Sequence, residues 1–210
     1  MNLSTIIFKD SMNLKKIFKH FKTDKRIKVL KKFIGNKAKI IEIGVHEGFF
    51  SNLLIKKFNP EILYLVDPWE YQTEELYKES LFGGSESISD GQKKLNYRYE
   101  NVKLNFKKEI ISGQIILMRE KSSKIFNLLK DDFFDLIYID GNHTFDFVKL
   151  DIMNSLKKIK KDGIIVCDDY QSPGWWNDGV TKAVDKLCKE NYVKKILSKS
   201  NQCVLKKVIL

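Results

Sequence analysis

Acidic residues stand directly behind two apolar segments with the composition of β-strands. Asp140 ends the segment FDLIYID, and Asp168 and Asp169 end GIIVCDD. Ligands of an open parallel sheet bind outside the carboxyl ends of its strands, so these carboxylates are expected to share one crevice. Carboxylates held together repel one another unless a cation neutralises them, and oxygen ligands favour Mg²⁺ or a similar hard ion. The sequence therefore predicts a divalent metal on all three, unless one or two only cap helices or face solvent.

A glycine-bearing turn, EIGVHEG at 42–48, follows an earlier apolar run. Gly44 allows a tight bend and the close approach of a ligand to the backbone, and Gly48 opens the next helix. Asp67 ends the following predicted strand, ILYLVD, where a carboxylate can accept two hydrogen bonds from ribose hydroxyls. A nucleoside-type cofactor is therefore predicted beside the metal. The alternative for Asp67 is that it only caps a turn.

The elements that must position these residues alternate between strands and helices from residue 39 onward. Apolar strands without polar alternation indicate a sheet covered on both faces, and repeated βα units predict a doubly wound α/β fold. The predicted strands are 39–44, 62–67, 115–118, 135–140, 163–168 and two more in 192–210, and the predicted helices are 49–58, 91–109, 122–129, 145–158 and 180–190, with a turn at 161–163 before the fifth strand.

Residues 37–210 are predicted to form a single domain, in which 68–90 is an insertion on the substrate side. Residues 1–36 have the pattern of one or two short basic amphipathic helices, ended at Gly35. They are predicted to form an N-terminal helical cap on the domain, and a membrane-surface helix is the alternative. The apolar positions of this segment are Ile17, Phe18, Phe21, Ile27, Leu30 and Phe33.

The formal net charge of +11 raises the question of nucleic acid. Only three of the 38 basic residues are arginine, the side chain that usually reads bases and phosphates, so we expect no nucleic-acid partner. An RNA-binding or RNA-modifying protein stays the alternative from another class. Three cysteines without metal-ligand spacing indicate a reducing, cytoplasmic location. No apolar stretch approaches the roughly 18 residues of a membrane span, and lysines interrupt any signal-like N-terminal segment.

The glycine turn and Asp67 resemble those of class I S-adenosylmethionine-dependent methyltransferases, over nearly the whole chain from residue 39. The stretches YIDGNHTFDFVKLDI and KDGIIVCDDY are most similar to metal-dependent sugar O-methyltransferases of the macrolide and aminocoumarin type. The resemblance implies a Rossmann-like seven-stranded sheet, mostly parallel, with its last strand antiparallel. It also implies S-adenosylmethionine and Mg²⁺ as cofactors. By the same resemblance Glu42, Gly44, Gly48 and Asp67 line the cofactor pocket with Ser122 near the adenine, and Asp140, Asp168 and Asp169 bind the metal.

His143 lies three residues after Asp140, where the resembling enzymes carry a general base. A histidine of near-neutral pKa can take the proton of a hydroxyl that attacks the methyl carbon, although an isolated turn histidine is more often structural. The predicted reaction methylates a hydroxyl of a sugar or glycoside, nucleotide-linked or a precursor of a surface glycan. Trp69, Trp175 and Trp176 are candidate substrate walls, with loop packing as their alternative.

Two other functions stay open at this stage. A catechol-type or other small-molecule O-methyltransferase would use the same metal centre. A sheet without catalytic activity could serve as a binding module. The acceptor, the methylated position and the assembly state, a homo-oligomer included, do not follow from the sequence.

Overall fold

The computed structural model describes residues 24–84 and 87–209, which form alternating strands and helices. Two short 3₁₀ turns, Glu75–Tyr77 and Phe126–Leu128, lie between them. In chain order the elements are α1 (Lys25–Leu30), β1 (Lys39–Ile43), α2 (Phe49–Phe58), β2 (Ile62–Val66), α3 (Ile88–Asn105), α4 (Lys107–Ile111), β3 (Ile115–Met118), α5 (Ser122–Ile125), β4 (Phe134–Ile139), α6 (Phe145–Lys158), β5 (Ile159–Cys167), α7 (Gly179–Lys189), β6 (Val193–Lys199) and β7 (Gln202–Lys207).

The strands of the described residues form one seven-stranded sheet in the order β3-β2-β1-β4-β5-β7-β6. Strands β1 to β5 pair in parallel, and β7 is antiparallel to both of its neighbours. β6 and β7 are joined at Ser200 and Asn201, both with positive φ, as a tight hairpin turn requires. The predicted Rossmann-like sheet with an antiparallel last strand is therefore confirmed.

Both faces of the sheet are buried, as the continuous apolar strands predict. Along β4, Leu136 and Tyr138 pack in the core layer that contains α2, whereas Ile137 and Ile139 pack in the layer that contains α6 and α7. Fully burying one such side chain stabilises the fold by roughly 1.5–3 kcal/mol relative to leaving it exposed. The central strands β1, β4 and β5 are thereby fixed, and their carboxyl ends lie side by side.

Several predicted boundaries differ from the structure by one to four residues, and two of the differences have a clear local cause. β5 begins at Ile159, so the predicted turn at 161–163 lies inside the strand. The fully buried Ile159 pairs with Phe134, and a Cβ on Gly163 would come within 2.9 Å of the Phe134 carbonyl oxygen, so only glycine fits this irregular start. The predicted helix 91–109 is interrupted at Phe106, where φ is −105° and ψ is 20°.

The N-terminal segment is described from residue 24. Asp24 caps α1 by accepting a hydrogen bond from the backbone N–H of Arg26, and Ile27 and Leu30 are buried in the core. The predicted apolar positions Ile17, Phe18 and Phe21 lie outside the described residues, so the helical cap over 1–36 and the domain limits stay predictions. Within the described ranges, no helix combines the length and the hydropathy needed to cross a bilayer.

Candidate active site

The residues that follow four parallel strands are tied to the sheet by their backbone amides. In each case the first residue after a strand donates its N–H to the last carbonyl of the neighbouring strand. The loops that carry the predicted site therefore start from fixed positions. The pairs are Gly44 to Val66 (2.9 Å), Asp67 to Met118 (3.2 Å), Asp140 to Ile43 (2.8 Å) and Asp168 to Ile139 (2.9 Å).

A cavity of about 570 Å³ lies over the carboxyl ends of these strands. Most of the predicted site residues line it, from the glycine turn at one side to the acidic loops at the other. Gly48 and Asp168 are the two predicted residues that do not line it. The predicted residues that do are Glu42, Gly44, Asp67, Ser122, Asp140, His143, Asp169, Trp69, Trp175 and Trp176.

Gly44 lies where the loops after β1 and β4 touch. Its φ is +90°, and a Cβ there would overlap the backbone carbonyl group of Asp140. Gly48 has a different role. It begins α2 with φ +77°, and a Cβ there would lie 2.9 Å from the ring of Phe106. Gly44 therefore shapes the cavity, whereas Gly48 fits the helix start against a neighbouring helix.

Gly44→Ala is expected to lower the thermal midpoint markedly more than Gly113→Ala. Both glycines have positive φ, +90° and +77°, but only Gly44 has backbone atoms in the way of a Cβ. The conformational cost alone is about 1 kcal/mol, and the overlap adds to it. Thermal unfolding of the two variants measures the difference. Equal shifts would contradict the close contact between the two loops.

Asp67 holds the glycine turn through its carboxylate. Oδ2 accepts the backbone N–H groups of Val45 and His46, both at 3.0 Å, and Oδ1 accepts that of Trp69 at 2.7 Å. A carboxylate has about four acceptor positions, so three are used and one is left. From the sequence, Asp67 was expected to accept two hydrogen bonds from ribose hydroxyls. In this geometry one acceptor position is left, so it can accept one such hydrogen bond.

Glu42 lies under the glycine turn and is almost fully buried. The hydroxyl of Ser51 donates to its Oε2 at 2.6 Å. Burial disfavours the charged carboxylate and raises the pKa of Glu42 to about 8, although the Ser51 hydrogen bond acts in the opposite direction. A cationic group of a ligand placed next to Glu42 would favour the charged form.

Asp140, His143 and Asp169 form the polar cluster at the opposite side of the cavity. Nε2 of His143 lies 3.3 Å from Oδ1 of Asp140, and Nδ1 lies 3.4 Å from Oδ2 of Asp169. One ligand-capable atom of each residue lies within 4.8 Å of the others. Nε2 makes no hydrogen bond of good geometry within the described residues. Two carboxylates and an imidazole at these distances could hold a divalent ion.

The cluster differs from the predicted one at Asp168. The hydroxyl of Tyr138 donates to its Oδ2 at 2.8 Å, and Nη1 of Arg26 lies 3.3 Å from the same oxygen. Nη1 of Arg26 also lies 3.8 Å from Oδ2 of Asp140. The guanidinium group packs 4.3 Å from the ring centroid of Phe50 and is held by Asp24. Oδ2 of Asp168 thus bonds to Tyr138 and Arg26. The ligand-capable atoms that lie close together belong to Asp140, His143 and Asp169, and not to Asp168.

The electrostatics of the cluster follow from burial and from crowding of like charges. Burial raises the pKa of Asp140 to about 6, although the contact with His143 lowers it. Burial also raises the pKa of Asp169. For His143, burial alone would lower the pKa, but the neighbouring carboxylates outweigh it and the pKa lies above the usual value. The cluster therefore has excess negative charge that a bound cation would relieve.

At the β3 end of the cavity, Ser122 begins α5 and contacts a residue that the sequence analysis did not single out. Its hydroxyl donates to Oδ1 of Asp151 on α6 at 2.6 Å. Asp151 is 3% exposed, and burial raises its pKa to about 7. Asp151 shares the buried face of α6 with Val148, Ile152 and Ser155, and this i, i+3, i+4, i+7 spacing was the sequence signal that could have found it.

Aromatic side chains cover the cluster. Trp176 lies edge-on to His143 with ring centroids 4.7 Å apart, and Trp175 packs against Trp176 at 5.8 Å. Tyr77 and Phe82, both from the 68–90 insertion, contact Trp175 at 5.5 and 5.7 Å. These four rings form an aromatic wall, to which the 68–90 insertion contributes Tyr77 and Phe82. The substrate-side location of the insertion stays a prediction.

Trp69 has a more structural position than the other two tryptophans. It is 2% exposed, and its indole N–H donates to the carbonyl oxygen of His46 at 2.9 Å. It also packs edge-on against Tyr99 with ring centroids 5.1 Å apart. Trp69 therefore lines the cavity and also stabilises the glycine turn through its hydrogen bond to His46.

The three arginines of this lysine-rich chain all hold segments around the cavity. Arg26 engages the acidic cluster, Arg98 donates to the carbonyl oxygen of Leu81 at 2.7 Å, and Arg119 donates to that of Trp69 at 3.3 Å. The rarity of arginine was the sequence signal that could have found Arg26. A planar guanidinium that bonds several groups at once cannot be replaced by lysine.

A family model and a relative match the sequence of this chain. A protein-family model described as a methyltransferase domain matches residues 41–170. An uncharacterized protein of Acanthamoeba polyphaga mimivirus is 28% identical over 149 residues, which are 70% of this chain and 58% of that protein. The chain thus matches less than two thirds of the length of this relative.

Solved structures share the fold at low sequence identity. A protein assigned as a caffeoyl-CoA O-methyltransferase from Staphylococcus aureus has a TM-score of 0.63 and 14% identity, with 99% of this chain and 100% of that one covered. One assigned as an rRNA methylase from Clostridium thermocellum has a TM-score of 0.59 and 8% identity, covering 88% and 94%. A protein from Streptococcus mutans that is assigned as a methyltransferase, in complex with SAH, has a TM-score of 0.54 and 11% identity, covering 87% and 96%. These likenesses concern the fold.

Proposed function

The chain belongs to the methyltransferase-domain family and is an S-adenosylmethionine-dependent methyltransferase, and on that premise we propose that it methylates a hydroxyl group of a sugar or glycoside. The observation that carries the proposal is one shared cavity. The cluster of Asp140, His143 and Asp169 faces the same space as the turn held by Gly44 and Asp67. A methyl donor at the turn and a hydroxyl at the cluster would meet in that space, and alignment is most of what this reaction needs.

The proposed donor site follows the glycine turn. The absent Cβ of Gly44 lets the loops after β1 and β4 approach each other closely, so that the backbone of Gly44 lines the cavity. The free acceptor position of Asp67 suits one ribose hydroxyl. The ammonium group of the methionine part would supply a close cationic partner to buried Glu42, which forms no salt bridge within the described residues. Each of these three residues thus offers a contact that the donor can use.

Asp67→Asn is expected to weaken S-adenosylmethionine binding roughly 10–100-fold, the worth of one or two charge-assisted hydrogen bonds. The amide keeps one oxygen, which can still accept from Val45 and His46, so at least the backbone N–H of Trp69 loses its acceptor. Turnover at saturating donor should change only a few-fold. Titration calorimetry and initial rates separate the two effects. An unchanged dissociation constant would contradict the proposed ribose contact.

The cluster fits a divalent cation, which we propose is held by Asp140 and Asp169. The two carboxylates lie close together, and their pKa values are raised. A bound cation would stabilise the charged form of both carboxylates. When bound, such an ion supplies Lewis-acid chemistry that lowers the pKa of a coordinated hydroxyl. Asp168 was predicted as a third ligand. Its Oδ2 is used by Tyr138 and Arg26, and its Oδ1 accepts the backbone N–H of Asp169, so we do not include it among the ligands of the proposed ion.

His143 is the proposed general base. It is covered by Trp176 and flanked by both carboxylates, so its ring orientation is restricted. In its neutral form it takes the proton of the acceptor hydroxyl while the oxygen forms a bond to the methyl carbon. The bond from that carbon to sulfur breaks, and the sulfur leaves as neutral S-adenosylhomocysteine. Proton and charge are thereby balanced.

The aromatic wall supports a compact acceptor with both apolar and polar edges. The indole N–H of Trp176 is buried without a hydrogen-bond acceptor within the described residues, so an acceptor oxygen would satisfy it. The apolar faces of Trp175 and Tyr77 suit the C–H face of a sugar ring. A flat catechol could stack on the same wall, so it stays the alternative small-molecule acceptor.

An RNA acceptor is the second candidate, and a groove beside the cavity favours it. The groove has a volume of about 520 Å³ and shares Glu47 and Phe49 with the cavity. RNA binding that falls steeply with salt would support it, and binding that is insensitive to salt would remove it. Its other lining residues are Lys93, Lys94, Tyr97, Arg98, Asn101 and Asn105.

Calorimetry followed by an acceptor screen tests the main proposal. S-adenosylmethionine is titrated into the protein with and without Mg²⁺. The protein is then incubated with nucleotide-linked sugars, simple glycosides, catechols and a short RNA, and release of S-adenosylhomocysteine is measured. Turnover of a sugar that stops in excess chelator is the expected result. Binding without turnover of any sugar would contradict the acceptor class, and no heat from the donor would favour a binding module.

A further inference from the structure

The groove beside the cavity combines positive charge with an exposed aromatic side chain. Its volume is about 520 Å³, and the proposed contacts of the methyl donor and of the acceptor hydroxyl leave it unused. Its charged lining residues are Lys93, Lys94, Arg98 and Glu47, so three positive charges and one negative charge leave an excess of two positive charges. Tyr97 belongs to the same lining and is 70% exposed. This surface suits an anion that also carries a flat ring.

The groove is continuous with the cavity at the start of α2. Glu47 and Phe49 line both spaces, and Phe49 is 55% exposed. Arg98 lies at the same junction, because it donates to the carbonyl oxygen of the cavity residue Leu81 and its Nε lies 3.6 Å from Oε1 of Glu47. One ligand can therefore lie with one end in the cavity and the other end in the groove.

The polar side chains of the groove are ordered along α3. Lys93, Lys94 and Arg98 come first, and Asn101 and Asn105 follow toward the end of the helix. The spacing of Arg98, Asn101 and Asn105 places them on one face of α3, over roughly 10 Å of its length. A ligand that leaves the cavity at Arg98 thus meets cations first and then amide groups, which can both donate and accept hydrogen bonds.

A nucleotide-linked sugar presents its groups in this order. The sugar is joined to two phosphates, each with a negative charge, and these are joined to a nucleoside whose base has a flat face and polar edges. We propose that the groove binds the nucleoside diphosphate part of the acceptor: the cations bind the diphosphate, Tyr97 stacks on the base, and the two asparagines bond to polar edges of the nucleoside. This inference rests on the proposed sugar acceptor and narrows it to sugars that are linked to a nucleoside diphosphate.

An RNA strand would require more cations than the groove offers. Affinity for a strand rises with the number of phosphates that lysine and arginine neutralise, and each added nucleotide brings one more phosphate. The three cations of the groove lie between Lys93 and Arg98, and the positions that follow them in its lining are uncharged asparagines. The groove therefore fits a single nucleotide better than a strand.

Titration calorimetry tests the groove without any methyl transfer. Uridine, adenosine and guanosine diphosphates are titrated without a metal ion, at a saturating concentration of S-adenosylhomocysteine that fills the donor site. The tightest of the three is expected to bind about 10-fold or more tightly than inorganic diphosphate, because stacking of the base adds affinity. Tyr97→Leu should remove most of this difference. Tyr192→Leu changes an exposed tyrosine that does not line the groove, and it should keep the difference.

Two lysines of α3 give a matched test of the charge. Lys93 forms an exposed i,i+3 ion pair with Asp90, and Lys103 forms the same kind of pair with Glu100. Of the two lysines, only Lys93 lines the groove. Lys93→Gln should weaken binding of both the nucleoside diphosphate and inorganic diphosphate about 3–10-fold, because one contact to a phosphate is lost. Lys103→Gln should change neither affinity.

The outcomes separate the groove site from the proposed acceptor. Nucleoside diphosphates that bind no more tightly than inorganic diphosphate overturn the inference, and so does equal weakening by Lys93→Gln and Lys103→Gln. A short RNA whose affinity keeps rising from about two to about twelve nucleotides overturns it in favour of a strand. Nucleoside diphosphate binding by a protein that methylates no nucleotide-linked sugar would support the groove site and contradict the proposed acceptor instead.

Discussion

His143→Asn is expected to lower the turnover number about 10²–10⁴-fold, the usual worth of a general base, while the dissociation constant of S-adenosylmethionine stays within about twofold. The reason is geometric: the imidazole lies between Asp140 and Asp169 beneath Trp176, away from the glycine turn. Single-turnover rates and calorimetry measure the two quantities. Added imidazole should restore part of the activity of this variant.

The pH profile gives a second measure of the same prediction. A base works in its neutral form, and the neighbouring carboxylates raise the pKa of His143. The rate should therefore rise with pH as the imidazole loses its proton, and a divalent ion on Asp140 and Asp169 should move the midpoint to lower pH because it offsets their charge. This limb should be lost in His143→Asn. A variant that keeps the limb, or that gains nothing from imidazole, would assign the base to another group.

Asp169→Asn is expected to lower turnover about 10²–10³-fold, which corresponds to roughly 3–4 kcal/mol of Lewis-acid stabilisation. Asp169 has φ of +55°, a conformation that asparagine adopts readily, so the backbone should be preserved. The remaining activity should be much less sensitive to chelator than that of the wild-type protein. Donor binding without Mg²⁺ should be unchanged, because Asp169 is not at the glycine turn.

Asp178→Asn is the matched control for this change. Asp178 is exposed, also has positive φ, and lies outside the cluster. It undergoes the same chemical substitution on the same kind of backbone, so its turnover and chelator sensitivity should match those of the wild-type protein. Full activity of Asp169→Asn in excess chelator would contradict the proposed metal ion. The proposal would then be reduced to His143 acting as base beside the two carboxyl positions.

The regular part of this protein follows from local sequence patterns. The strand at 115–118 and the helices at 49–58 and 145–158 have the bounds that apolar periodicity and glycine positions predict. The sheet order then brings Gly44, Asp67 and Asp140 to one edge, because the carboxyl ends of parallel strands must meet there. Local sequence pattern and sheet topology were therefore sufficient to predict these elements and the shared location of the three residues.

Contacts between distant segments could not be predicted in the same way. Arg26 lies 142 positions before Asp168, and only tertiary packing decides that its guanidinium meets that carboxylate. Asp67 lies where it was expected, but its acceptor positions are largely used by the turn. Asp151 lies at helical spacing with the buried residues of α6, but only tertiary packing decides that it meets Ser122. These features depend on rotamers and on which helix faces which loop, and a single sequence does not encode them in any short motif.

The amides that tie Gly44, Asp67, Asp140 and Asp168 to the ends of neighbouring strands bear on the thermodynamics of ligand recognition. Ordering a loop on binding costs conformational entropy and reduces affinity. Here the segments behind these four residues are already fixed when the chain folds. The entropic cost of ordering these segments is therefore part of the free energy of folding. A ligand that binds in the crevice orders little additional backbone, so its affinity is reduced only slightly by this cost.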